Sequence, residues 1–145
     1  MGQRRRAREC ALQMLFQIDL VGTTPEEVFG EFWSGQQAAP DERTYAEALV
    51  SGVARERLFL DGIVAGSAEH WRIERMAVVD RNVLRMAAYE MIFEEEVPPV
   101  VAIDEAIEVA RKFGSEESAA FINGILDAVR KRIERGEVAR RRDGA

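Results

Sequence analysis

Residues 79–94 read VDRNVLRMAAYEMIFE, and this stretch decides the fold. Val83, Leu84, Ala87, Ala88 and Met91 recur at spacings of three and four, the period of an α-helix with an apolar face. Their band is too wide for one contact, so it predicts a helix buried on more than one side, the central helix of an all-α domain. Glu94, Glu95 and Glu96 then close it with the wrong charge for a helix C-terminus, which predicts a frayed end.

Downstream, Pro98 and Pro99 forbid continuation and pre-set a new helix, whose stripe is Ile103, Ala106, Ile107 and Ala110 and whose end is Phe113 and Gly114. Ser115 is the predicted cap of the last helix, with Glu116 and Glu117 in its first turn and Phe121, Ile122, Ile125, Leu126, Val129 and Ile133 facing inward. Past Gly136 there is nothing to bury, so residues 1–136 are expected to form one domain and residues 137–145 a disordered basic tail. Upstream, Gln3 to Val21 carries the stripe Ala7, Ala11, Met14, Leu15 and Ile18. After Gly22, Thr24 and Pro25 read as N-cap and first-turn proline of a short helix reaching Trp33. From Asp41, apolar positions run from Tyr45 to Val64 through Gly52 and Gly62 to Gly66, predicting two helices or one bent helix, followed by a turn of helix near Trp71 to Met76. No alternating run argues for a sheet.

Charge is distributed unevenly. The net formal charge is −6, yet residues 1–18 hold four arginines against one glutamate, and residues 128–145 hold seven basic residues against three acidic ones. Basic ends on an acidic body point to two partners of opposite sign, a polyanion and something basic. Of 20 basic residues 18 are arginine throughout the chain, so the positions of the arginines carry information and their excess over lysine does not.

Reactive groups are scarce. One histidine, His70, and one cysteine, Cys10, cannot assemble a zinc site or a disulfide, and neither a P-loop, a G-x-G-x-x-G turn nor an H-E-x-x-H helix is present. A serine triad would need His70, which beside Trp71 reads as a surface residue, while Cys10 reads as packing. The expectation is a protein without catalytic activity, metal or cofactor. No apolar run approaches the ~20 residues that cross a bilayer, and no signal-peptide form opens the chain, so no membrane span and a reducing cytoplasm are expected.

Arg4, Arg5, Arg6 and Arg8 stand at the start of the first helix, ahead of its packed stripe, where their guanidinium groups are expected to project past the core. Each can fork two hydrogen bonds to a phosphate or stack on an unpaired base. On these residues alone an RNA-binding arm, a membrane-surface arm and a solubilising terminus all stand.

Three blocks narrow the choice. RRRARECALQMLFQIDL (residues 4–20), DRNVLRMAAYEMI (80–92) and PPVVAIDEAIEVARKFGSEESAAFINGILD (98–127) resemble, in order and spacing, the characteristic blocks of the NusB family of bacterial transcription antitermination factors. That resemblance implies about seven helices in two three-helix units packed roughly crosswise. It also implies binding to a single-stranded boxA element of nascent RNA, pairing with the small-ribosomal-subunit protein NusE, and read-through by the RNA polymerase antitermination complex, notably in ribosomal RNA operons. Carried onto this chain, the RNA surface comprises Arg4, Arg5, Arg6, Arg8, Phe16, Glu117, Ser118 and Phe121, and Glu74 and Asp80 face NusE. One departure stands out: family members often have a lysine before the phenylalanine of the last block, and here it is Ala120, preceded by Ala119. Two alternatives follow from the same resemblance, an interaction module without RNA binding and an accessory domain of a ribosomal-RNA methyltransferase.

Overall fold

Thr24 shows how local sequence sets the helix boundaries. In the computed structural model, which describes residues 2–141, its hydroxyl accepts the Glu27 N–H (3.3 Å) while the Glu27 carboxylate accepts the Thr24 N–H (3.1 Å). This reciprocal capping box starts the second helix where the proline also favours it. The described residues form seven α-helices and no strand: α1 (Gly2–Val21), α2 (Pro25–Ser34), α3 (Pro40–Arg55), α4 (Arg57–Ser67), α5 (Val78–Phe93), α6 (Pro99–Phe113) and α7 (Ser118–Glu134), with a 3-10 turn at Ile73–Arg75.

Helices α1, α2 and α3 pack on one another, α5, α6 and α7 do likewise, and α4 bridges α5 and α7. The all-α expectation therefore holds, with two three-helix groups. Helix α5 touches α1, α3, α4, α6 and α7, and its residues from Asn82 to Phe93 are buried without a break. A helix enclosed in this way must satisfy its polar side chains inside the protein. Arg85 donates to Asp61 (2.7 and 3.1 Å) and to Asp19 (3.0 Å), and Glu90 accepts from Arg8 and from the Tyr45 hydroxyl.

The break between α3 and α4 falls at Glu56 and not at a glycine. Gly52 stays inside α3, because its bare Cα faces Tyr89 of α5 and a Cβ there would overlap the phenol ring. Its role is close helix approach rather than a turn.

Two expectations near the C-terminus are corrected. Ser115 does not cap α7: residues 115–117 form a separate turn, closed by the Ser118 N–H on the Ser115 carbonyl (3.1 Å), and α7 begins only at Ser118. The chain also keeps an ordered path from residue 137 to Arg141, where a disordered tail is expected. Val138 is buried, the Arg141 N–H bonds the Ile92 carbonyl, and the Arg140 guanidinium donates to the carbonyls of Met91 (2.9 Å), Glu94 (2.7 Å) and Val97 (2.9 Å). The physical reason lies in α5. Its C-terminus carries open carbonyls and acidic neighbours, so a guanidinium arriving from the tail caps the end that was expected to fray. Residues 142–145 lie outside the described residues.

Candidate nucleic-acid interface

Successive residues of an α-helix step about 100° around its axis, so four arginines within five positions cannot share one face. In α1 they find four different surroundings. Arg8 falls on the packed face between Ala7 and Ala11 and is buried. Its Nε donates to both oxygens of Glu90 (2.9 and 3.0 Å), and the Tyr45 hydroxyl donates to the same carboxylate. Burial opposes the Arg8 charge, but the hydrogen bonds and charge of Glu90 outweigh it and hold the guanidinium ionised more firmly than usual. Burial, then the Glu90 charge, pushes the Tyr45 phenol well above its ordinary range. Arg8 is thus withdrawn from the surface, contrary to the expectation that all four arginines project beyond the core.

Arg5 is half-exposed and forks onto Glu105 of α6, Nε to Oε1 at 3.0 Å and Nη2 to Oε2 at 2.9 Å. Glu105 also lies 3.5 Å from Nη1 of Arg8. The Arg5 hydrogen bonds, and then the charges of Arg5 and Arg8, overcome burial and hold the Glu105 carboxyl below the usual carboxylate range. Arg4 and Arg6 remain exposed. Arg4 lies over the Tyr45 ring, 4.1 Å from its centre, and Arg6 donates to the Gln37 carbonyl (2.6 Å) in the loop before α3, 4.0 Å from Glu42.

From these arginines a seam runs along α1 and α6, which lie side by side in the same direction. Arg5 meets Glu105, then Glu9 accepts from Lys112 (2.9 Å), and then Leu12, Gln13 and Phe16 of α1 line a cavity of about 280 Å³ with Val79 and Phe113. Phe16 is half-buried at its wall. Beyond lie the 115–117 turn, with Glu117 exposed, and the first turns of α7, where half-buried Phe121 meets Trp71 edge to face at 5.4 Å between ring centres. Ala119 and Ala120 leave this end of α7 without a cation.

Ser118 and Asp80 occupy the interior rather than the surface. The Ser118 hydroxyl accepts the Ser115 N–H (2.9 Å) and donates to Asp80 (2.7 Å), tying the start of α7 to the start of α5. Both residues are buried, so neither presents its side chain at the surface, where the resemblance places Ser118 for RNA and Asp80 for NusE. The reason is the late start of α7, which turns Ser118 inward. Glu74, by contrast, is exposed, with its backbone carbonyl accepting from Arg81 (3.4 Å).

The counter-charges Glu90 and Glu105, the phenol Tyr45 and the aromatic neighbour Trp71 were not identified from the sequence as parts of this region. Glu90 had a usable signal, since a lone carboxylate inside the apolar run AAYEMIF requires a buried cation. Glu105 had none, because it resembles the other acidic residues along α6.

Among the described residues no helix is long and apolar enough to cross a membrane, and no group of three or more His, Cys, Asp or Glu side chains is placed to hold a metal ion.

Comparison with known proteins agrees with this architecture over nearly its full length. The chain is 44% identical over 135 residues to the transcription antitermination protein NusB of Sorangium cellulosum, covering 93% of this chain and 96% of that protein. Its fold superimposes on T. maritima NusB with a TM-score of 0.82 at 35% identity, covering 93% and 97% of the two chains. It also superimposes, with a TM-score of 0.82 at 30% identity and 90% and 98% coverage, on a crystal structure of the antitermination factors NusB and NusE in complex with double-stranded RNA. A family model described as the NusB family matches residues 5–131. With helices, blocks and relatives in agreement from the arginines of α1 to the last turns of α7, the chain belongs to the NusB family.

Proposed function

We propose that the protein is a non-catalytic transcription antitermination adaptor that binds single-stranded boxA RNA together with a NusE-type ribosomal protein. In this role it promotes read-through by RNA polymerase, notably in ribosomal RNA operons, and works in the cytoplasm. The observation that carries the proposal is the unequal use of the arginines: Arg4 and Arg6 stay exposed on Tyr45 and Gln37, on the α3 side of α1, beside a seam that starts at Arg5 and Glu105 and continues through Phe16 toward Phe121 and Trp71. Exposed guanidinium groups hold phosphates, and half-exposed aromatic rings stack on unpaired bases, which is how single-stranded RNA is recognised. The relative of similar fold crystallised with NusE and RNA supports the pairing of partners. Exposed Glu74 on the acidic body fits a basic protein partner.

Titration of a boxA-containing single-stranded RNA, with and without NusE, tests the proposal. The combined Arg4→Ala and Arg6→Ala variant should lose affinity and flatten the dependence of log K on log salt by about 1.4, since each phosphate contact on a single strand contributes about 0.7. Equal affinity and slope in wild type and variant would remove the arginines from the RNA site. A second reading, a NusB-like interaction module with weak RNA binding, is favoured by Ala119 and Ala120 and by the carboxylates already holding Arg5 and Arg8. It predicts undisturbed NusE binding with weak or no RNA binding by the wild type, and a salt slope that the Arg4→Ala and Arg6→Ala variant does not flatten.

A further inference from the structure

Glu105 stands between two arginines that play different parts. Arg8 engages Glu90 through Nε, which leaves its Nη1 directed toward Glu105 at 3.5 Å. Arg5 gives Glu105 both arms of its fork, and that two-point geometry is the one a phosphate accepts from an arginine. Exposure is unequal across the pair: the Arg5 side chain is 42% exposed and that of Glu105 only 14%. A ligand from solvent therefore reaches the guanidinium before the carboxylate.

Building on the RNA reading above, we infer that Glu105 is a built-in phosphate mimic that occupies the fork of Arg5 until an RNA phosphate displaces it. Arg8 then takes the freed carboxylate, so no buried charge is left unpaired when Arg5 turns to the RNA. A carboxylate left alone at that depth would make the exchange costly, and the position of Arg8 Nη1 removes this obstacle. Glu105 thereby sets how strongly a ligand must compete. It also lowers the salt dependence, because a phosphate that replaces a carboxylate on Arg5 releases fewer counterions than one binding an open arginine.

Glu105→Gln keeps the size of the side chain and removes its charge, and Arg8 retains Glu90, so the thermal midpoint should move by no more than a few degrees. Against a boxA-containing single-stranded RNA this variant should bind about two- to fivefold more tightly than wild type, the range spanned by an exposed ion pair. Its slope of log K against log salt should be steeper by about 0.7. In an Arg5→Ala background the same substitution should change neither quantity. Unchanged or weakened binding by Glu105→Gln overturns the inference, and so does an equal gain in the Arg5→Ala background, which would mark a general charge effect rather than competition for Arg5. Wild type that binds RNA while Glu105→Gln behaves identically leaves the RNA reading intact and sinks only this mechanism; wild type and variant that both fail to bind sink the RNA reading together with it.

Discussion

Helix α1 is pinned by ion pairs at both ends, and the two ends are built with opposite polarity. Toward its C-terminus one carboxylate, Asp19, faces several donors: Arg81 Nε (2.7 Å) and Nη2 (3.0 Å), Asn82 (2.9 Å) and Arg85 (3.0 Å). Arg57 adds its charge at 3.7 Å. Toward the N-terminus Arg5, Arg6 and Arg8 face Glu105, more distantly Glu42, and Glu90, while Arg4 lies over the Tyr45 ring. A carboxylate surrounded by donors has no capacity left for a ligand, whereas a surplus of guanidinium groups leaves Arg4 and Arg6 at the surface. The difference separates a structural lock from a binding region on a single helix.

The largest effect is expected inside the N-terminal cluster, at its buried member. Arg8→Ala leaves the Glu90 carboxylate in the core with only the Tyr45 hydroxyl, and breaking a buried pair in this way costs about 3–5 kcal/mol. Chemical denaturation at pH 7 measures it. A loss under about 1 kcal/mol would mean that Arg8 behaves like a surface arginine, and the division drawn above between structure and binding would fail.

Next in size is the opposite end. Burial disfavours the Asp19 charge, but the hydrogen bonds from Arg81 and Asn82 and the charge of Arg85 outweigh it and hold this carboxyl far below the usual range. A carboxyl depressed in the folded state contributes stability above its unfolded value of about 3.9, and that contribution disappears as the pH falls toward the folded value. Asp19→Asn should therefore cost about 2 kcal/mol at pH 7, in the range of a hydrogen bond to a charged group. The gap between variant and wild type should stay constant down to about pH 5 and narrow below about pH 4. Denaturation curves at pH 7 and pH 3 decide the matter, and an undiminished gap at the lower pH would show that the charge on Asp19 is not what fastens this end.

At neither end were the ion pairs legible in the sequence, although the helices were. The helices, their order and the central place of α5 followed from apolar spacing, because a wide band such as Val83 to Met91 has few ways to be buried. Thr24 with Pro25 announced the cap of α2, and the structure adds Glu27 to it. What the sequence did not yield was pairing across long separations: Arg8 with Glu90, Arg5 with Glu105 and Ser118 with Asp80 each join distant helices, and only the packed fold decides which charges meet. Arg8 was misplaced for that reason, since its neighbours in the chain are also arginines and nothing local distinguishes it from them. The same holds for Arg140, whose partners are backbone carbonyls that only the folded end of α5 and the turn after it present.

The smallest stability effect is expected where the binding effect is large. The Arg4 guanidinium rests on the Tyr45 ring and Arg6 on one exposed carbonyl, contacts worth about 0.5–1 kcal/mol for the first and about 0.5 kcal/mol or less for the second. Removing both with Arg4→Ala and Arg6→Ala should cost no more than about 1.5 kcal/mol, well under the loss from Arg8→Ala alone. Arg4, Arg6 and Arg8 are chemically alike and lie within five consecutive positions of one helix, so composition cannot account for such a contrast; only their rotation about the helix axis can. If the double variant instead loses as much stability as Arg8→Ala, Arg4 and Arg6 belong to the fold, and any fall in RNA affinity of that protein would report damage to α1 rather than loss of contacts with phosphate.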